Sequence, residues 1–283
     1  MQNNTFEDKQ VLLDEGVSFS NTTFEKNVWI RIKSVVTNSI IKSNVFIGFK
    51  CKIQNTVIND RVQIASKCKI GDSKVQTIIE KFSWIGANAT ICSGVTIGEG
   101  SVIGANSIIK ENIPPYSIAY GTKKLTIKKR KLLKDSPPDF KSSLLHHLKL
   151  KEHQQYIKSD AHKNYISATI TNLGKYSLGS DNILIGNNQM NGGIFLENNV
   201  SIKNGNIFEG AGKIYLLEGS SIGNNVHIIS NSHDHTLLSL PMVLQPVYIE
   251  KNVVIGDNSV ILGGVTITEG TIIPSGSFII KNT

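Results

Sequence analysis

Aliphatic residues recur along this chain every six positions. Ile85, Ile91, Ile97, Ile103 and Ile109 keep the step unbroken, and four residues after the first four of them stand Ala89, Val95, Ser101 and Ser107, all small or β-branched. Upstream, Val35, Ile41, Ile47 and Ile53 keep it, and after a slip of one residue Ile58, Ile64 and Ile70 resume it. The step returns at Leu196, Ile202 and Phe208, at Leu216, Ile222 and Ile228, and from Ile249 through Ile255, Ile261, Ile267 and Ile273 to Ile279. Helices repeat near 3.6 residues and strands near 2, so a strict six fits neither. A short strand followed by a tight turn does give six. Three such sides close a triangular coil, with the aliphatic pointing inward onto its equivalent in the next coil. Small residues, Gly and Asn suit the corners, where the chain bends in little room. The pattern predicts a parallel β-helix, a solenoid in which each coil touches only its neighbours.

Two stretches carry a family likeness. WIGANATICSGVTIGEGSVIGANSIIKENIPPYSIAYG (84–121) resembles the final coils of bacterial hexapeptide-repeat acyltransferases, most of all the sugar and capsular polysaccharide O-acetyltransferases. VYIEKNVVIGDNSVILGGVTITEGTIIPSGSFIIK (247–281) resembles the same region a second time. The resemblance implies a left-handed coil, which the periodicity does not give, since parallel crossovers are normally right-handed. The expected fold is all-β: two tandem left-handed parallel β-helix segments, 28–120 and 166–283. A short N-terminal segment (1–27) precedes them and a basic connector (121–165) joins them. Within the connector, Ser136 followed by Pro137 and Pro138 predicts a helix start, with Phe140, Leu144 and Leu148 on one face.

Composition narrows the setting. Nowhere in the 283 residues is there an apolar run of about 18, so no membrane span is expected. The start, MQNNTFEDKQ, lacks the basic and apolar regions of a signal peptide. Cys51, Cys68 and Cys92 show no CxxC spacing, which fits free thiols in a reducing cytoplasm. The net charge is +8, and Lys123–Lys163 alone holds twelve Lys or Arg against four Asp or Glu. That block contains no recognised nucleic-acid motif, so no nucleic-acid partner is expected.

Histidine separates the two segments. Residues 1–145 contain none of the chain's seven, so the first segment reads as non-catalytic, serving assembly or acceptor binding. Family enzymes use a histidine as general base. From Ile228 to Ile249 is a step of 21 residues where three regular sides take 18, which predicts a loop pushed out of the coil, and ISNSHDHTLLS (229–239) lies in it. His235 and His233 are both candidates. His235-Thr-Leu-Leu resembles the His-x-Ile/Leu stretch of sugar and capsule O-acetyltransferases, whereas counting from Asn-Val-His-Ile, as in galactoside- and maltose-type enzymes, selects His233. His227 is expected to face outward.

An imidazole titrates near neutrality and suits removal of a hydroxyl proton. Neither histidine completes a zinc-ligand set, so no metal is expected. The resemblance further implies acetyl-CoA as co-substrate, lying along late coils between subunits of a homotrimer, with Asp257, Ser275, Ile280 and Lys281 at the matching positions. Gly121–Arg130 resembles the tail that holds the nucleotide in relatives, which points Lys128, Lys129 and Arg130 at its phosphates. The expected activity is O-acetylation of a sugar hydroxyl on a glycan acceptor such as a bacterial capsule or other surface polysaccharide. The alternatives are N-acylation of an amino sugar and a non-catalytic β-helical scaffold in polysaccharide biosynthesis.

Overall fold

A computed structural model describes residues 10–133, 157–159, 162–166, 170–186 and 192–283. Among these residues every regular helix or strand element is a β-strand, mostly two or three residues long. The expected connector helix at 136–148 lies outside the described residues. The chain forms two compact units: Met1–Leu148 with His235–Leu240, and Lys149–Asp234 with Pro241–Thr283.

The first unit is built on three sheets of eight, six and five strands. Within each, strands from successive coils lie parallel, the last pair of the largest sheet excepted. Val11–Leu13, Val28–Ile30, Val45–Ile47, Gln63–Ile64, Trp84–Ile85 and Val102–Ile103 follow one another in the largest. The inward residues form three columns. Ile30, Ile47, Ile64, Ile85 and Ile103 make one, Val36, Ile53, Ile70, Ile91 and Ile109 the second, and Phe24, Ile41, Ile58, Ile79 and Ile97 the third. Almost all are withdrawn from water. Each fully buried aliphatic side chain of this size contributes about 1.5–3 kcal/mol of transfer free energy, so the columns hold the coil together.

Three details differ from the sequence reading. The inward residue of the second column is Val36, not Val35. The one-residue slip between Ile53 and Ile58 recurs in each early coil, as between Val36 and Ile41. These coils are therefore seventeen residues long, pairing Val11 with Val28 and Val28 with Val45. The solenoid also starts ahead of residue 28: Val11–Leu13, Ser18–Ser20 and Thr23–Phe24 each pair with the coil that follows. Their single aliphatic or aromatic anchors are too sparse to show a period.

Corners account for the asparagines. Asn27, Asn44, Asn88 and Asn106 have φ between 57° and 61°, the left-handed region that Asn tolerates better than most residues. Their amides form ladders between coils, Asn27 to Asn44 at 3.0 Å and Asn88 to Asn106 at 2.7 Å. Part of the expected connector is strand: Thr126–Lys129 folds back antiparallel on Ser117–Tyr120 and ends its sheet.

The second unit has sheets of seven, five and five strands on the same plan. Leu184, Phe208, Ile228, Ile261 and Ile279 form one inward column, Leu196, Leu216, Ile249 and Ile267 another, and Leu178, Ile202, Ile222, Ile255 and Ile273 the third. Asn164, Asn182 and Asn206 are buried at one corner. The Oδ1 of each accepts the backbone N–H of the next coil at 2.7–2.9 Å, from Asn182, Asn206 and Val226. The amides thus satisfy backbone donors that the bend removes from the sheets.

Candidate active site

The regular coil is interrupted after His227–Ile229. Ile228 and Ile249 occupy successive sides, whose inward residues lie eight positions apart one coil earlier (Phe208 to Leu216) and six one coil later (Ile261 to Ile267). The step of 21 residues from one to the other is therefore one side plus a long excursion, not three sides plus a small bulge. Its stem is an antiparallel hairpin of Asn231–His233 with Met242–Leu244, in which His233 pairs with Met242. Ser230 closes the root: its carbonyl accepts the Gln245 N–H at 2.8 Å, and its hydroxyl receives the Gly212 N–H at 2.8 Å. At the far end Leu240 is buried with φ 49°, a backbone region uncommon for a bulky side chain and one that persists where surroundings over-determine it.

Both candidate histidines lie on this excursion and both are half-buried. His233 ends the first hairpin strand. His235 follows in the turn, belongs to the first unit, and its ring centroid is 6.3 Å from that of Trp84. Arg130 donates from Nε to the His235 carbonyl at 2.7 Å, from Nη2 to the Leu237 carbonyl at 2.6 Å, and from Nη1 to the Gly100 carbonyl at 2.7 Å. Only 3% of Arg130 is exposed. Its expected role against nucleotide phosphates is thus corrected: the guanidinium is buried and engaged with carbonyls, while Lys128 and Lys129 remain exposed. The sequence reading missed Arg130's role in this loop because a run of basic residues carries no local mark of which one turns inward.

His227 also departs from expectation. Its side chain leaves the column that Ile228 joins, yet it is fully buried, and Nε2 lies 2.8 Å from Glu209 Oε1. A ring so enclosed and paired is a structural element of its sheet.

The four donor-site candidates divide between two corners. Asp257 and Ser275 stack at one, where a Cβ on Gly256 would run into the Ser275 backbone. Asp257 accepts the Asn224 N–H at 2.8 Å and its side-chain amide at 3.1 Å. These bonds, the backbone one foremost, hold its carboxyl below the ordinary value of 3.8. Ile280 and Lys281 are exposed at the corner that follows the same side, Ile280 to 55%. One coil away at that corner lie Gly263 and Gly264. The Gly264 N–H reaches the carbonyls of Gln245 and Pro246 at 3.3 and 3.1 Å, at the root of the histidine excursion. A Cβ on Gly263 would lie 2.7 Å from that of Gln245, so glycine lets the excursion leave the coil there. The fold thus brings Ile280 and Lys281 beneath the root of the histidine loop and sets Asp257 and Ser275 at the far end of the side. Among the described residues no group of three or more His, Cys, Asp or Glu is placed to hold a metal ion, and no helix is long and apolar enough to cross a membrane.

Residues 76–111 and 246–281 match the family described as "Bacterial transferase hexapeptide (six repeats)", and 11–91 match "GlmU-like, C-terminal hexapeptide". Residues 11–111 and 246–281 thus carry repeats similar to those of bacterial hexapeptide transferases. The bifunctional protein GlmU of Thermotoga petrophila is 42% identical over 64 residues, which is 23% of this chain and 14% of that protein. The chain thus matches only a small part of that relative's length. Two solved structures align at low similarity. A mutant of AntD, an N-acyltransferase from Bacillus cereus, in complex with dTDP and coenzyme A, aligns at TM-score 0.39 and 20% identity over 51% of this chain and 90% of its own. The acetyltransferase domain of PglB from Neisseria gonorrhoeae, in complex with acetyl coenzyme A, aligns at TM-score 0.37 and 23% identity over 39% and 54%.

Proposed function

We propose that this chain is an acetyl-CoA-dependent O-acetyltransferase that acetylates a sugar hydroxyl of a glycan, of the kind found in bacterial capsules and other surface polysaccharides. In this reading the second of two left-handed β-helical segments is catalytic and the protein works as a cytoplasmic homotrimer, a closed symmetric assembly suited to flat prism faces. The observation that carries the proposal is the excursion from Ser230 to Gln245. It leaves the coil immediately before a family-matched repeat stretch, 246–281, and presents His233 and His235.

The chemistry follows from those residues. His235 or His233 accepts the proton of the sugar hydroxyl as its oxygen attacks the thioester carbonyl. A backbone N–H stabilises the negative oxygen of the tetrahedral intermediate. As the intermediate collapses, the C–S bond breaks and the imidazolium returns the proton to the departing thiolate, leaving an acetyl ester and free coenzyme A. Lys281 offers a mobile cation to a donor phosphate, Ile280 an apolar surface to its pantetheine arm, and the Asp257–Ser275 corner a close backbone approach.

The test is acceptor-dependent thiol release. Purified protein given acetyl-CoA and a panel of glycans is expected to liberate thiol and to form acetyl groups that mild base removes. Base-stable products formed only on amino sugars would replace O- by N-acylation. Absence of thiol release with every acceptor would leave a β-helical scaffold.

A further inference from the structure

We infer that Arg130 is a positioning residue for the histidine loop: it fixes the turn that carries His235, and so sets where the base stands. This rests on the proposed acyl transfer for its kinetic consequence, though not for its structural one.

The geometry is that of a clamp. Three consecutive carbonyls, of His235, Thr236 and Leu237, are all engaged from residues 130–133. Arg130 takes the first and third, and the Leu133 N–H takes the second at 2.8 Å. Arg130 is itself held at its backbone, where its N–H donates to the Tyr116 carbonyl at 2.7 Å, and at its third nitrogen by Gly100. Tyr116 in turn donates its hydroxyl to Glu99 at 2.7 Å. A guanidinium offers donors in a rigid planar fork, so bonds to two loop carbonyls and one coil carbonyl leave the turn little freedom. The bonds are charge-assisted, the stronger class. A lysine ammonium is a single point on a flexible stem and cannot reproduce the fork. The histidine-free first half of the sequence thereby acquires a task, since Trp84, Gly100 and Arg130 all come from it.

The proximity of Trp84 to His235 supplies a readout independent of activity, because a protonated imidazole quenches a nearby indole. Tryptophan fluorescence is to be titrated from pH 8 to 5 in the wild type and in Arg130→Met, Arg130→Lys and His235→Gln. The wild type is expected to show a quenching step that His235→Gln lacks. Arg130→Met should lose at least half of that step, and Arg130→Lys should fall between. Deuterium exchange of the Leu133 N–H should quicken at least ten-fold in Arg130→Met. With acceptor present, kcat should fall about ten-fold in Arg130→Met while the KM for acetyl-CoA stays within two-fold, and Arg130→Lys should recover part of the loss. If Arg130→Met gives a misfolded protein by circular dichroism, Arg130→Lys alone decides. A wild-type quenching step and unchanged Leu133 exchange in a folded Arg130 variant would overturn the inference. A wild type that transfers no acyl group would instead remove the proposed function, with fluorescence and exchange still deciding the clamp.

Discussion

Ile228 and Ile249 fill adjacent sides of the second solenoid although they stand 21 positions apart. The coil closes over this gap without losing register, because Ile228 still stacks on Ile261 and Ile249 on Leu216. The excursion is therefore separable from the core, and its residues can be changed without unfolding the coil. Replacing His233 and His235 singly by alanine is expected to leave the thermal midpoint nearly unchanged. One of the two replacements should lower kcat by about 10²–10⁴-fold, the usual worth of a general base. Steady-state kinetics check this, and two variants with wild-type kcat would exclude both rings as the base.

Lys281 is exposed beside Ile280 at the corner under the root of that excursion. If its charge meets a donor phosphate, Lys281→Ala raises the KM for acetyl-CoA several-fold, leaves kcat within two-fold, and weakens the dependence of KM on salt. The comparison to make is KM at low and at high ionic strength. An unchanged KM at both removes Lys281 from the donor site.

Lys67 stands at a left-handed corner of the first unit, φ 61°, with Lys50 one coil back and Asn88 one coil on. Burial, and then the charges of Lys50 and Lys69, lower its pKa from 10.5 to about 8. Below pH 8 both folded and unfolded states carry the proton, so folding bears the whole cost of the buried charge. Between pH 8 and 10.5 the folded state has released the proton and the cost fades. Lys67→Asn, which extends the run ending in Asn88 and Asn106, should stabilise the unit by about 1–2 kcal/mol at pH 7, allowing for solvent screening. Urea unfolding should show that gain shrinking by pH 10. A gain of equal size at both pH values would sink the electrostatic account.

Asp257 holds the Asn224 backbone and side chain in its ionised form, which lowers its pKa from 3.8. A carboxylate with a depressed folded value stabilises above its unfolded value, and that contribution disappears as pH falls through the folded one. Asp257→Ala should therefore melt below the wild type at pH 6, with the gap narrowing as pH falls below 3.8. A gap that is constant with pH would mean that the carboxylate's charge plays no part.

The six-residue step was enough to read both coils, because inward stacking demands an aliphatic at each repeat and little else competes at those positions. What it hid was coil length: a five-residue side between Val36 and Ile41 looks like an error until it is seen again between Ile53 and Ile58. The histidine loop was legible as a break in period, but its size was not, since 21 residues mimic three sides and a remainder. Arg130 was misread, because KKR announces charge while burial is decided by what lies opposite in space. His227 was misplaced for a related reason: strand alternation says which side of the coil a ring leaves from, not whether Glu209 and its neighbours enclose it. The four donor candidates could be named from the resemblance, but their division between two corners is a matter of stacking that no single repeat records.

The seventeen-residue coil has a bearing on how such a molecule changes length. Val11 pairs with Val28 and Val28 with Val45, so the inward columns of these coils repeat at seventeen residues. Excising one whole coil would join equivalent corners and shorten the column by one strand spacing, about 4.8 Å, while keeping the inward columns in register. Growth and loss in this half of the protein are therefore quantised, and its reach is a count of coils.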